Sequence, residues 1–196
     1  MKFFKLDKFG AMDPDECFLD NPPEGTDALT FRMAEGDRMG NDYPSDARIY
    51  MDNEHMGIRL TSIIGNTNSF LIVSREVKLA IEGSRVGKIE YLPISIYNHR
   101  RRKATDDYFI INPIGSYDCL DLKASKIKYL KDKIVAVKEF VLDAKRLKDA
   151  PDLFRLKEDP RQYIISGRLV DDLRALRATN LVVEELGISG GKRPDG

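Results

Sequence analysis

The sequence predicts an α+β domain of two similar strand-helix-strand units in one domain, preceded by a loop-rich N-terminal arm. Three observations predict it. First, "SFLIVSREVKLAIEGSRVGKIEYLPISIYN" (69–98) and "QYIISGRLVDDLRALRATNLVVEELGI" (162–188) each read as an apolar run, a serine, an amphipathic stretch and a second strand-like run. Second, an offset of 92 residues aligns the two without a gap: Ile72 falls on Ile164, Ser74 on Ser166, Val77 on Leu169, Ile81 on Leu173 and Tyr91 on Val183. Few of these matches are identities, so the agreement is one of physical pattern. Third, the first third of the chain is broken repeatedly by Asp, Pro and Gly, the composition of loops. The spacing divides the chain into an acidic arm or subdomain over 1–56, an α+β domain over 57–188 and a disordered tail over 189–196.

In chain order, "KFFKLDKF" begins with a short strand, and 13–28 is loop. "ALTFRM" (28–33) and residues 48–51 read as further short strands, and the arm packs on the rest through Phe3, Phe18, Leu29 and Ile49. "GIRLTSIIGNTN" (57–68) reads as a short helix. The continuous apolar run "SFLIVS" is a buried strand, and Ser74 then caps a helix offering Val77, Leu79, Ala80 and Ile81 to the core. Gly83 ends it. "KIEYLPISIYN" alternates as a strand does, and Pro93 places it at an edge or a bulge. "DYFIINP" (107–113) is an apolar strand, "LKDKI" a turn, and "IVAVKEFVLD" (134–143) a β-branched strand. "DAKRLKDAP" (143–151) carries a short helix stopped by Pro151, and "DLFRLK" (152–157) is a strand.

The chain has 196 residues, 42% hydrophobic and 33% charged, enough for one domain with a core. No apolar run approaches the roughly 20 residues of a membrane helix. Lys5, Asp7 and Lys8 interrupt any signal-peptide core, so a cytoplasmic location is expected, with Cys17 and Cys119 reduced. Net charge is zero, but residues 7–54 hold 13 acids against four bases. Such asymmetry steers a charged partner. Asp13, Asp15, Glu16, Asp20, Glu24, Asp27, Glu35, Asp37, Asp42 and Asp46 are therefore the candidate partner-binding residues.

No phosphate loop, dinucleotide fingerprint or nucleophile elbow is present. His55 and His99 lack a second His or Cys at ligand spacing, so no metal and no cofactor are expected. Arg100, Arg101, Arg102 and Lys103 form the strongest basic cluster. A nucleic-acid-associated regulator would use them, but Asp106 and Asp107 follow at once and a solvated hairpin loop fits better. "YDCLD" sets Asp118 and Asp121 around Cys119. A small carboxylate-dependent hydrolase would need one of these acids in an open cleft with a raised pKa. The simpler reading is a turn, with an Asp accepting backbone N–H groups and Cys119 and Leu120 facing the core.

The order of these segments resembles a family of bacterial immunity proteins from polymorphic-toxin systems, immunity family eleven, formerly a domain of unknown function. The segments that carry the likeness are "FLIVS" with its following helix, "IEYLPISIYNH", "DYFIINPIGSYDCLDLKAS", "LFRL" and "YIISGRLVDDLRAL…NLVVEEL", over about 57–188. The resemblance implies a stoichiometric inhibitor and not an enzyme: a cytoplasmic protein that occludes a cognate toxin, with no membrane or nucleic-acid partner. It carries no catalytic residue over to this chain. Asp118, Cys119, Leu120, Asp121 and Ser125 are its signature positions, read as structural.

Overall fold

The computed structural model describes residues 2–190. Of the tail expected over 189–196, residues 191–196 lie outside the described residues. The strands are β1 (Phe3–Leu6), β2 (Phe18–Leu19), β3 (Arg48–Tyr50), β4 (Ile63–Asn66), β5 (Leu71–Ser74), β6 (Ile89–Tyr97) and β7 (Lys103–Pro113), then β8 (Lys126–Leu130), β9 (Lys133–Glu139), β10 (Val141–Asp143), β11 (Leu153–Arg155), β12 (Tyr163–Ser166), β13 (Val183–Glu185) and β14 (Gly187–Ser189). The helices are α1 (Thr30–Ala34), α2 (Arg75–Glu82) and α3 (Gly167–Ala175), of five, eight and nine residues.

The chain is mostly β, not α+β, and its sheet curls into a nearly closed, barrel-like form. This overturns the predicted fold class. One reason lies at 57–68. The apolar spacing of Ile58, Leu60, Ile63 and Ile64 suits a helix, yet Ile63–Asn66 form a strand buried on both faces. Two β-branched residues in a row fit a pleated surface better than a helix, and β5 supplies the pairing partner. The reverse error falls at 28–33. There a turn of 3-10 helix and α1 replace the expected strand, burying Met33 and Ala34 on one side. At 143–151 the expected helix is only a series of turns.

A six-stranded sheet runs in the order β2-β4-β5-β7-β6-β3, and a four-stranded sheet in the order β11-β12-β1-β13. The segments predicted as strand-helix-strand contain those elements locally, but their strands do not pair with each other. β7 separates β5 from β6, and β1 separates β12 from β13. Every contact within these sets is antiparallel. The 92-residue offset carries into the register. Val73 faces Phe109 and Tyr91 faces Ile111 in the larger sheet; Ile165 faces Phe4 and Val183 faces Leu6 in the smaller. The strand inserted into the second set is the first in the chain, whereas β7 follows the set it completes.

The layers follow from strand alternation. Ile72, Ile94, Ile96 and Ile110 face away from α2 and α3 and pack under Leu19, Met33 of α1, Met39 and Met51 of the N-terminal segment. Leu71, Val73 and Ile111 face the other way. They join Leu6, Tyr163 and Ile165 of the smaller sheet, with Val77 and Ile81 of α2 and Leu169 and Leu173 of α3. Phe3, Phe154 and Ile164 pack beyond the smaller sheet against Cys119, Leu120 and Leu142. Both faces of both sheets are therefore covered, which explains why β5 and β12 read as unbroken apolar runs. Leu79, predicted to be core, is exposed on α2. Pro93 is tolerated because β3 pairs only with Ser95–Tyr97, leaving that stretch of the β6 edge free of a ladder.

Candidate partner-binding site

The N-terminal segment crosses β4 between residues 9 and 18 and creates a groove there. The crossing is tight: a Cβ on Gly65 of β4 would lie 2.3 Å from the Phe9 carbonyl oxygen, so only glycine admits the chain so close. The groove has a volume of about 260 Å³. Phe9, Met12, Phe18 and Met56 supply its apolar walls, and Asp13, Glu16, Glu54 and His55 its polar rim. Phe9, Met12 and Met56 are 48%, 52% and 66% exposed. Contiguous exposed apolar side chains beside a concavity mark binding sites more reliably than scattered ones.

The ten acids predicted for partner binding divide into two groups. Arg59 binds Asp13 at 2.5 Å and Glu16 at 3.5 Å. Arg32 binds Asp37 at 3.5 Å and Asp42 at 3.4 Å, and Arg48 binds Asp46 at 3.0 Å. Asp15, Asp20, Glu24, Asp27 and Glu35 have no such ion pair among the described residues. Asp20 instead accepts a hydrogen bond from the Thr67 hydroxyl at 2.6 Å. The Asp15 N–H and the Arg59 guanidinium hold the Asp13 carboxyl below the usual carboxylate range. The structure thus brings Asp13, Glu16 and Glu54 to one groove, while Asp37 and Asp42 meet at Arg32 instead.

Sequence reasoning missed a histidine arrangement beside the groove. His55 Nδ1 lies 2.6 Å from Asp52 Oδ2, which also accepts the His55 N–H at 3.1 Å. His99 Nε2 lies 2.8 Å from the Asp52 carbonyl oxygen. Burial would raise the Asp52 carboxyl, but the His55 ring and nearby backbone N–H groups leave it lowered. The Asp-x-x-His spacing was the one available signal; the part played by His99, 44 residues after His55, had none. A carboxylate-held histidine can serve as a nucleophile's base, and Cys17 lines the same groove. Burial pushes that thiol up to about 12, far from the thiolate a nucleophile requires. Among the described residues no group of three His, Cys, Asp or Glu side chains is placed to hold a metal.

The "DCLD" segment lies elsewhere, beneath the smaller sheet. Asp118 accepts a hydrogen bond from Lys157 Nζ at 2.9 Å and pairs with Arg146. Lys157, then Arg146, hold its carboxyl below the usual range. Cys119 and Leu120 are buried. Asp121 Oδ1 accepts from the N–H groups of Lys123 at 2.9 Å and Ala124 at 3.0 Å. The Ser189 hydroxyl, then these two N–H groups, lower its carboxyl as well. Ser125 Oγ accepts from the Val141 N–H at 3.0 Å. Neither acid carries the raised pKa that acid catalysis at this segment would need. The basic cluster forms the turn between β6 and β7. Asn98 Oδ1 accepts from the Arg100 and Arg102 N–H groups, Arg101 stacks on Tyr50, and Lys103 pairs with Asp106.

The sequence pattern of the immunity protein family (Imm11) matches residues 10–187. The chain belongs to this family. The match begins well before residue 57, so the groove-forming segment falls within the family's extent and not outside it. No curated protein matches the chain. Membership in Imm11 makes toxin immunity the class of function, and it implies a protein partner. Among the described residues no helix is long and apolar enough to cross a membrane.

Proposed function

We propose that this Imm11 protein neutralises one cognate bacterial toxin in the cytoplasm by stoichiometric binding that occludes the toxin's active surface. Membership in the immunity family over residues 10–187 carries the reading. The toxin face is the acidic N-terminal segment, Asp13 to Glu54, around the groove. Two features support this placement. Its acids outnumber its bases by nine over residues 7–54, and Asp15 and Glu54 have no ion pair among the described residues. Acids already neutralised within the chain add little to long-range attraction, whereas unpaired ones speed capture of a basic partner.

The test uses the cognate toxin domain, sought among the products of the genes flanking this one. Stopped-flow association at low ionic strength is compared for the native chain and for Asp15, Glu24 and Glu54, acids with no ion pair among the described residues, each replaced by Lys. The expected result is an association rate lower by about tenfold or more, with the gap closing as salt is added. Unchanged rates overturn the placement. Failure of the native chain to bind or protect against that toxin overturns the function.

A further inference from the structure

We propose that the groove receives one large apolar side chain of the toxin, carried on a segment that bears a lysine or arginine beside it. The inference deepens the proposed function and rests on it for the identity of the partner. Size sets the occupant. Sites for drug-sized ligands and cofactors run to roughly 300–1,000 Å³, and this groove, at about 260 Å³, suits a single side chain. Lining sets its polarity. Phe9, Met12 and Met56 expose about half or more of their surface around the groove although they are apolar, and methionine adapts its shape to an incoming surface. Charge sets what flanks it. Arg59 already occupies Asp13 and Glu16, while Glu54 at the rim and Asp15, which falls in the chain between the lining residues Pro14 and Glu16, have no cation within 4.0 Å among the described residues. A cation on the incoming segment completes them, and an acid there is repelled.

The methionine methyl groups report on the groove directly. Met12 and Met56 are exposed at it, whereas Met33, Met39 and Met51 are buried. The full chain is labelled with carbon-13 at its methionine methyls and titrated with three capped pentapeptides. These carry tryptophan between two lysines, tryptophan between two glutamates, and alanine between two lysines. The expected result is a saturable shift of the Met12 and Met56 signals with the first peptide, and none at Met33, Met39 or Met51. The glutamate peptide binds at least about fivefold more weakly, and the alanine peptide leaves the methyls unmoved. Glu54→Lys, with its circular dichroism unchanged, removes the preference for the lysine peptide. Absence of any shift at Met12 and Met56 overturns the proposal. So do equal binding of both tryptophan peptides and equal binding of the alanine peptide. The peptides do not involve the toxin, so a groove that fills while toxin association ignores the acids separates failure of the toxin-face reading from failure of this one.

Discussion

The Arg155 guanidinium stacks 4.3 Å from the centre of the Tyr163 ring and donates from Nη2 to the Tyr163 hydroxyl at 2.7 Å. Arg155 is 1% exposed, and no carboxylate pairs with it among the described residues. Carbonyl oxygens satisfy it instead. Nη1 donates to Ala34 at 2.6 Å and Pro160 at 2.8 Å, Nη2 to Met33 at 3.1 Å, and Nε to Pro113 at 3.1 Å. One side chain of β11 thereby joins the end of α1, the end of β7 and the strand β12. Gly36 belongs to the same arrangement: its φ is +86°, and a Cβ there would lie 2.8 Å from Arg155 Cδ.

Arg155→Lys is therefore not a conservative change. An ammonium offers three donors at one point and cannot span acceptors that a planar fork reaches. Each orphaned buried carbonyl costs about 1–3 kcal/mol. The expected loss is about 3–5 kcal/mol, a fall in Tm of roughly 10 °C for a chain of this length. Thermal unfolding followed by circular dichroism measures it. A fall of under about 2 °C would show that the network does not hold the N-terminal segment to the sheets.

Asp152 makes the fold acid-sensitive. It is 4% exposed and accepts from the Arg85 N–H at 2.8 Å, the Ser166 hydroxyl at 2.7 Å and Arg168 Nη2 at 2.6 Å. Burial pushes its carboxyl up, but these three donors outweigh burial and hold it below the usual range. A carboxyl lowered in the folded state contributes stability above its unfolded value of about 3.9, and loses it as pH falls through the folded value. Asp152→Asn should cost about 1.5–3 kcal/mol at neutral pH, and the gap should narrow steadily below about pH 4. Urea denaturation across that range tests both parts. A gap that stays constant with pH would assign the loss to shape and not to charge.

Glu158 behaves oppositely. Its Oε2 is buried without a hydrogen-bond partner, and burial raises its carboxyl above the usual glutamate value. A raised acid favours the folded state while protonated, below its unfolded value of about 4.3, and that contribution is lost as pH rises through the folded value. Glu158→Gln should then stabilise the protein at pH 7 by up to about 1 kcal/mol and make no difference near pH 4. Destabilisation at both pH values would reveal a partner for the carboxylate that the folded geometry does not include.

Local elements were legible where one physical signal dominated. Continuous apolar runs gave β5 and β12, and serines gave the starts of α2 and α3. Ser166 accepts from the Leu169 N–H at 3.2 Å, whereas Ser74 makes no such bond. What the sequence could not convey was pairing. Lys5 faces Ile164 across 159 residues, and no local pattern encodes so distant a choice. The fold class failed for that reason: helices of eight and nine residues read as equal partners to strands whose sheets in fact dominate. Arg155 was visible only as part of "LFRL". A charged residue in a strand reads as surface until the carbonyls that surround it are known. The groove was half legible. Its acids stood out by count, but Met56 and Phe9 gain their meaning only when residues 9–18 cross β4.

Asp121 supplies the last prediction. Its Oδ1 closes a turn on the N–H groups of Lys123 and Ala124, and its own N–H donates to the Val141 carbonyl at 2.8 Å. The turn delivers Ser125, whose N–H donates to the Asp121 carbonyl and whose hydroxyl accepts from Val141. These bonds fix the exit from the buried Cys119–Leu120 pair toward the β8–β9 hairpin. Asp121→Ala removes the side-chain acceptor and leaves the backbone pairing in place. The loss should resemble that of a capping residue, about 1 kcal/mol, or a fall in Tm of about 2–4 °C. Toxin affinity, measured well below the unfolding range, should stay unchanged, because the groove and its acids lie on a different part of the molecule. A variant with native Tm that no longer binds the toxin would place this turn in the interface and move the binding surface away from the N-terminal segment.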